Sequence, residues 1–259
     1  MVEKTGYEPG TPCWVDLTTP DVEGAARFYS GLFGWEVVDQ GPEFGGYRMC
    51  HLRGRPVAGL GPAQDPGIPP NWTSYVSVTD ADVATKAITA AGGQVFVEPM
   101  DIPGSGRMAI FADPAGAAFG VWQAGEFAGA GLVTEPGALC WNELMTRHPE
   151  AANSFYQAVF GWEPERQAMG EADYTTWSLA GQQMAGMMPM DDNWPPEVPP
   201  HWLAYFAVED ADATVADAAG LGGQVSVPPT DIPVGRFAVV SDPAGAAFGI
   251  VRMNPTTTD

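Results

Sequence analysis

Apolar and polar positions along the chain change period several times. Residues 13–18 (CWVDLT) alternate and predict a strand, with Val15 and Leu17 on one face and Trp14, Asp16 and Thr18 on the other. Asp21 is a helix cap, because its short carboxylate can accept from the free N–H groups of a first turn. Ala25, Phe28, Tyr29, Leu32 and Phe33 then recur at i, i+3, i+4, i+7 and i+8, the spacing of a helix with one apolar face. Gly34 closes that helix in a left-handed conformation. Short strands are predicted near 35–40, 46–52 and 55–61, followed by a Pro-rich loop over 62–71. The pattern then starts again: a strand at 72–78, a helix at 80–91 ended by Gly92-Gly93, and strands near 94–99, 107–112 and 117–123. The order is βαβββ, written twice, which predicts an α+β fold.

The second half of the chain repeats the first. Cys13, Trp14, Tyr29 and Trp35 match Cys140, Trp141, Tyr156 and Trp162 at an offset of 127. The segment VAG at 57–59 matches MAG at 184–186. GGQV and DIP recur at an offset of 130, and DPAGAAFGV at 113–121 matches DPAGAAFGI at 242–250. A period this long describes modules rather than solenoid repeats. The expected division is a module over 1–123, a Gly-rich linker over 124–137 and a second module over 138–259, four βαβββ units in all. Each module is then expected to carry a small core of its own.

Composition narrows the function. The chain has 259 residues, 45% of them hydrophobic and only 17% charged, which suits packed cores and excludes charge-driven disorder. Lys and Arg number 11 against 32 Asp and Glu, a net charge of −21. No basic stripe exists to neutralise phosphates, so no nucleic-acid partner and no anionic membrane surface is expected. The start of the chain lacks a signal-peptide pattern, and no run of about 18 apolar residues appears. The three cysteines form no metal-type spacing, and a cytoplasmic, reducing setting is expected. A monomer or a homodimer fits, since fused modules can cover one another's sheet edges.

Three segments together carry a family resemblance: the helix entry DVEGAARFY (21–29), the turn FGWE (33–36) and the terminal DPAGAAFG (113–120), the last two repeated at 160–163 and 242–249. In order and spacing they resemble the vicinal oxygen chelate superfamily of glyoxalases, bleomycin-resistance proteins and extradiol dioxygenases, and in particular its tandem, actinobacterial "glyoxalase-like" subgroup. The resemblance implies two cup-shaped half-barrels, each built from two βαβββ units. It also implies where metal-dependent members hold a divalent ion. Those positions fall at Trp14, near Thr73 and at Gly120 in the first module, and at Trp141, near Leu203 and at Gly249 in the second. A divalent site needs about three converging N or O ligands. An indole N–H only donates and glycine has no side chain, so no metal and no other cofactor is expected.

What stands in those cups is instead aromatic. Alternation directs Trp14, Asp16 and Tyr75 into the first cup, and Trp141, Glu143 and Tyr205 into the second, while Asn142 breaks the outward apolar pattern. Met49, His51 and Trp122 are further ligand-contact candidates, as are Tyr174 and Tyr47. Aromatic walls with few polar groups suit a small, flat or apolar ligand. They also serve simply to fill a concave sheet. Asp16 and Glu143 are candidate acid/base groups, because a buried, unpaired carboxylate is costly. The plainer reading pairs them with Arg27, Arg107 or Arg236, or puts them at an exposed strand end. His148 reads as a capping or solvent residue and His201 as a loop residue after Pro199-Pro200. Arg107 and Arg236 read as structural partners of Asp113 and Asp242. Four functions remain: a metal-free binder of a small aromatic or apolar metabolite, which is preferred; a metal-free isomerase, lyase, cyclase or hydroxylase; a metalloenzyme; and an interaction protein with degenerate cups.

Overall fold

A computed structural model of the chain describes residues 2–169 and 172–254. It contains two eight-stranded sheets and four α-helices. The first sheet runs, from edge to edge, through Glu36–Asp39, Arg48–Leu52, Arg55–Pro62, Pro12–Thr19, Asn71–Ser77, Ala118–Ala124, Gly106–Ala112 and Gln94–Ile102. The second repeats this order with Glu163–Met169, Ala172–Leu179, Gln182–Pro189, Leu139–Thr146, His201–Ala207, Ala247–Met253, Gly235–Ser241 and Gln224–Ile232. In each sheet the two βαβββ units meet at their opening strands, which pair antiparallel. Each opening strand also pairs parallel with the last strand of its own unit. The sheets curve into cups and stay open at their edges.

Local chemistry accounts for the helices. Asp21 accepts from the Gly24 N–H at 2.8 Å and Gly34 ends the helix Val22–Phe33 at φ 70°. Asp80 and Asp210 cap Ala81–Ala90 and Ala211–Gly220 in the same way. His148 does occupy the N-cap of Pro149–Phe160, but its side chain makes no capping bond.

The core differs from the expectation of one small core per module. Two large apolar clusters form, and each draws on both modules. One joins Val15, Leu17, Phe28, Tyr29 and Trp35 to Phe206, Val240, Phe248 and Ile250. The other joins Val76, Ile88, Phe111 and Phe119 to Leu144, Phe155, Tyr156, Trp162 and Trp177. The modules therefore pack back to back through their helix-bearing faces. Asn142, the residue that broke the apolar pattern, lies in this contact and accepts from the Ser74 hydroxyl at 2.6 Å. Its counterpart in the first module is Val15, and that of Ser74 is Ala204, so the polar pair occurs on one side of the contact only.

The most repeated motifs act here. Trp72 Nε1 donates to the Tyr29 hydroxyl at 3.1 Å, and that hydroxyl donates across the modules to Asp242 at 3.3 Å. In mirror image, Trp202 donates to Tyr156 at 2.9 Å and Tyr156 to Asp113 at 3.2 Å. The second carboxylate oxygen of each Asp accepts backbone N–H groups of its own turn, Ala115 and Ala117 or Ala244, Gly245 and Ala246. The expected Arg–Asp pairs are thus corrected. Asp113 and Asp242 have their partners across the modules, whereas Arg107 binds Asp82 and Asp101, and Arg236 binds Asp212 and Asp231.

Among the described residues no helix is long and apolar enough to cross a membrane. Tyr156→Phe should strand both the Asp113 carboxylate and the Trp202 N–H, costing about 1–3 kcal/mol in urea unfolding. Tyr29→Phe should cost a similar amount. Because the two locks sit in separate clusters, the double variant should be close to additive, and strong coupling would contradict two independent locks.

Candidate functional site

In the first cup the opening strand and its neighbours bring four polar side chains into one chain of hydrogen bonds. Trp14 Nε1 donates to the Tyr47 hydroxyl at 3.1 Å, and Tyr47 donates to Asp16 Oδ2 at 3.3 Å. The Tyr75 hydroxyl lies 3.3 and 3.2 Å from the two Asp16 oxygens. Met49, Ile102, Met108, Ile110 and Trp122 form apolar walls around Trp14 and Tyr75. Burial pushes the Asp16 carboxyl up to about 7, against the opposing pull of the two tyrosine hydrogen bonds. The same burial, with Asp16 beside them, raises both tyrosines well above the usual phenol range.

The second cup rebuilds this arrangement. Trp141 Nε1 donates to Tyr174 at 2.9 Å and Tyr205 donates to Glu143 Oε2 at 2.8 Å. Burial raises the Glu143 carboxyl, while hydrogen bonds from Tyr174 and Tyr205 hold it down. Neither carboxylate pairs with Arg27, Arg107 or Arg236; hydroxyls take the place of those arginines. Elsewhere the cups diverge. Thr18, Gly61 and Thr73 correspond to the bulkier Met145, Met188 and Leu203, which fill the second cup at those positions, while Trp122 corresponds to the smaller Val251.

Two glycines in each cup make room for the tyrosines. A Cβ on Gly59 would lie 1.7 Å from the Tyr47 hydroxyl, and one on Gly120 would lie 2.2 Å from the Tyr75 ring. Gly186 beneath Tyr174 and Gly249 beneath Tyr205 repeat both notches at 1.8 and 2.2 Å. An aromatic ring on the bare backbone of one residue is the device that closes each floor.

The covers differ. Over the first cup lies Phe127, from the stretch between the modules, with its ring 4.9 Å from Trp14 and 6.0 Å from Trp122, edge-on to both. Over the second lies a loop carrying Trp194 and Val198, held by Arg147, which donates to the Pro195 and Val198 carbonyls at 2.9 and 2.7 Å. Phe127 escaped the sequence reading because it sits in a Gly-rich stretch with no periodic pattern. The Gly59 and Gly186 notches escaped because only the fold brings a tyrosine over them. The stretch 124–137 also contains the short strand Leu132–Val133, paired with Val2–Glu3.

The histidines take no part in either network. His51 lies beside a register shift in the pairing with Arg55–Pro62, and its Nδ1 is buried without a hydrogen-bond partner among the described residues. His201 is the first residue of a strand and not a loop residue; its Nδ1 lies 2.9 Å from the Pro199 carbonyl oxygen, and burial lowers its pKa.

The sequence model described as the Glyoxalase/Bleomycin resistance protein/Dioxygenase superfamily matches residues 13–121 and 138–250. The chain belongs to this superfamily. Among its relatives is the "Putative glyoxylase CFP32" of Mycobacterium tuberculosis, 44% identical, the match covering 98% of this chain and 99% of the relative. The "Anthracycline biosynthesis protein DnrV" of Streptomyces peucetius is 42% identical over 96% of this chain and 95% of its own. The Mn(II)-bound glyoxalase of Novosphingobium aromaticivorans has the same fold, with a TM-score of 0.66 at 17% identity, covering 94% of this chain and 82% of that one. The 2,3-dioxygenase LapB of Pseudomonas sp. KL28 gives 0.65 at 14%, covering 96% and 95%.

The superfamily fold implies a metal position, and the residues here do not fit one. Trp14, Thr73 and Gly120 supply an indole, one hydroxyl and no side chain; Trp141, Leu203 and Gly249 supply no ligating atom. A carboxylate at 120 or 249 would collide with the tyrosine ring above it. Among the described residues no three His, Cys, Asp or Glu side chains assemble as a ligand group.

The Asp16 carboxyl gives a signed pH prediction. Its folded pKa of about 7 lies above the ordinary 3.8, so the folded chain holds a proton that the unfolded chain releases between those values. Stability contributed at this group is therefore greatest near pH 4 and is lost as pH rises to about 7. Asp16→Asn should gain on the parent over that window, by at most about 4 kcal/mol, and the difference should level off above it. Denaturant unfolding of the pair from pH 4 to 9 measures it; a difference that does not vary with pH would remove the shifted carboxyl.

Proposed function

We propose that the chain binds a small, largely aromatic or apolar metabolite of natural-product type in a cup of the glyoxalase fold, without a metal ion. The observation carrying this reading is the set of a Trp bonded to a Tyr beside a carboxylate bonded to a second Tyr, present in both cups at the place where a metal centre would stand. The remaining walls diverge between the copies, and this network does not, although Asp16 becomes the longer Glu143. A flat indole and two phenols beside a single acceptor favour a ligand that is aromatic and carries a hydroxyl. The relative DnrV, named for anthracycline biosynthesis, supports a ligand of that kind. A cytoplasmic setting agrees with three free cysteines, two of them buried.

The probe that tests this is 1,4-dihydroxyanthraquinone in equilibrium dialysis. Saturable binding is expected, unchanged by EDTA, and weakened at least tenfold by Trp14→Ala. Binding that requires an added divalent ion would overturn the metal-free reading, and no saturable binding would overturn the ligand class.

A second reading has its own observation: the Asp16 carboxyl, near 7, is placed to take or give a proton at neutral pH. Tyr75 would then serve as the neighbouring hydrogen-bond donor in an isomerase, lyase or cyclase reaction. If the chain turns over a bound hydroxyaromatic, the rate should follow a single ionisation near pH 7 and fall at least a hundredfold in Asp16→Asn. Turnover that survives that substitution removes Asp16 from the chemistry.

A further inference from the structure

We propose that Phe127 is an exchangeable plug for the first cup, seated where the ring of a flat, hydroxylated aromatic ligand goes, and that the ligand binds by displacing it. This rests on the binding function proposed above and adds which cup works, what fills it between binding events, and what opens it.

The first support is the origin of the ring. Trp14, Tyr75 and Trp122 rise from the sheet, whereas Phe127 comes from the stretch joining the modules and reaches over them from outside. Its two edge-on contacts, at 88° to Trp14 and 72° to Trp122, are ones a small aromatic ligand would make with the same walls.

The second is the way the strap is tied. The Gly125 and Phe127 N–H groups both donate to one acceptor, the Ser105 carbonyl, at 2.9 and 3.0 Å. Trp122 Nε1 donates to the Phe127 carbonyl at 2.9 Å. On either side the chain is fixed by other contacts. Ala124 ends a strand, the Ala130 N–H donates to the Cys13 carbonyl at 2.8 Å, and the Tyr7 hydroxyl donates to the Ala130 carbonyl at 2.7 Å. Residues 125–128 can thus leave the cup by giving up three hydrogen bonds, with no strand broken. An open groove of about 410 Å³, lined by residues 101–107 and 123–126, borders the strap and extends the room beside it.

The third is the contrast with the second cup. There the cover is held by a guanidinium, and the space beneath it is taken by Met145, Met190 and Leu203. In the first cup the matching positions are Thr18, Ala63 and Thr73, so that cup keeps small residues where the second has bulky ones. Asp16, Thr18 and Thr73 share the cup-facing side of their strands and give a ligand hydroxyl its acceptors.

The plug predicts a sign that a fixed wall does not. If the open form is about a tenth of the population, the parent binds about tenfold more weakly than an open cup would. Phe127→Ala should therefore bind 1,4-dihydroxyanthraquinone about tenfold more tightly than the parent in equilibrium dialysis. Weaker or equal binding by the variant, with the parent still binding, overturns the plug and leaves the binding function standing. Failure of both proteins to bind overturns the binding function, and the plug with it. Should Phe127→Ala not fold, native-state hydrogen exchange of the parent decides the matter. On adding the probe, the Gly125 and Phe127 amides should exchange at least tenfold faster as their bonds to Ser105 open, and unchanged or slower exchange overturns the plug.

Discussion

Two buried tyrosine hydroxyls that cross from one module to the other set the frame for everything else in this chain. Each accepts from a tryptophan of its own module and donates to an aspartate of the other. That aspartate also gathers the backbone N–H groups of the turn ahead of the last strand. The last strand runs parallel to an opening strand of the same sheet, so the hydroxyl fixes both the docking of the modules and the position of the strand that floors the opposite cup. Buried polar groups stabilise little when all are satisfied and cost a great deal when one is lost, so this contact specifies a single docking geometry more than it adds stability. The lone Ser74–Asn142 pair adds direction: it distinguishes the two nearly equivalent halves of the contact.

Against that frame the cups solve a problem created by losing ligand side chains from a concave sheet. Removing a carboxylate from position 120 or 249 leaves a notch, and a phenol ring lying over glycine fills it. The phenol brings a hydroxyl into an apolar site, which needs an acceptor, and Asp16 or Glu143 supplies it. The carboxyl in turn is held by burial in a range where its charge is costly, and the second tyrosine and the tryptophan complete its surroundings. Each member is explained by the one before it, which is why all four recur in the second copy although the side chains around them changed.

How far this could be read from the sequence followed from the range of the interaction concerned. The alternation at 13–18 and 72–78 and the helical spacing at 25–33 are local, and the strands, helices and inward faces of Trp14, Asp16 and Tyr75 follow from them directly. Duplication extended those assignments to Trp141, Glu143 and Tyr205. What local pattern does not carry is partnership between distant segments. The aspartates of DPAG were matched with nearby arginines because those arginines were close in sequence, whereas their partners are tyrosines in the other module. Asn142 looked like an error in a pattern for the same reason. Tyr47 could be named as a wall but not as the link between Trp14 and Asp16, since that depends on Gly59 lying beneath it.

The differing covers show what duplication left free. Docking requires both modules to keep their outer faces, so the tyrosine, tryptophan and aspartate motifs are nearly identical in the two copies. The inner faces have no such mutual constraint. One copy filled its cup with Met145, Met190 and Leu203 and tied a loop over it with Arg147, an arrangement in which opening breaks charge-assisted hydrogen bonds. The other kept threonines and an alanine at those positions and drew its cover from the connection between the modules, held by two backbone hydrogen bonds and one from the Trp122 indole. A connection is the part of a tandem chain least bound by the core, so a ring placed there can leave without disturbing either sheet. The asymmetry therefore assigns structure to one cup and exchange to the other, within a frame that treats them alike.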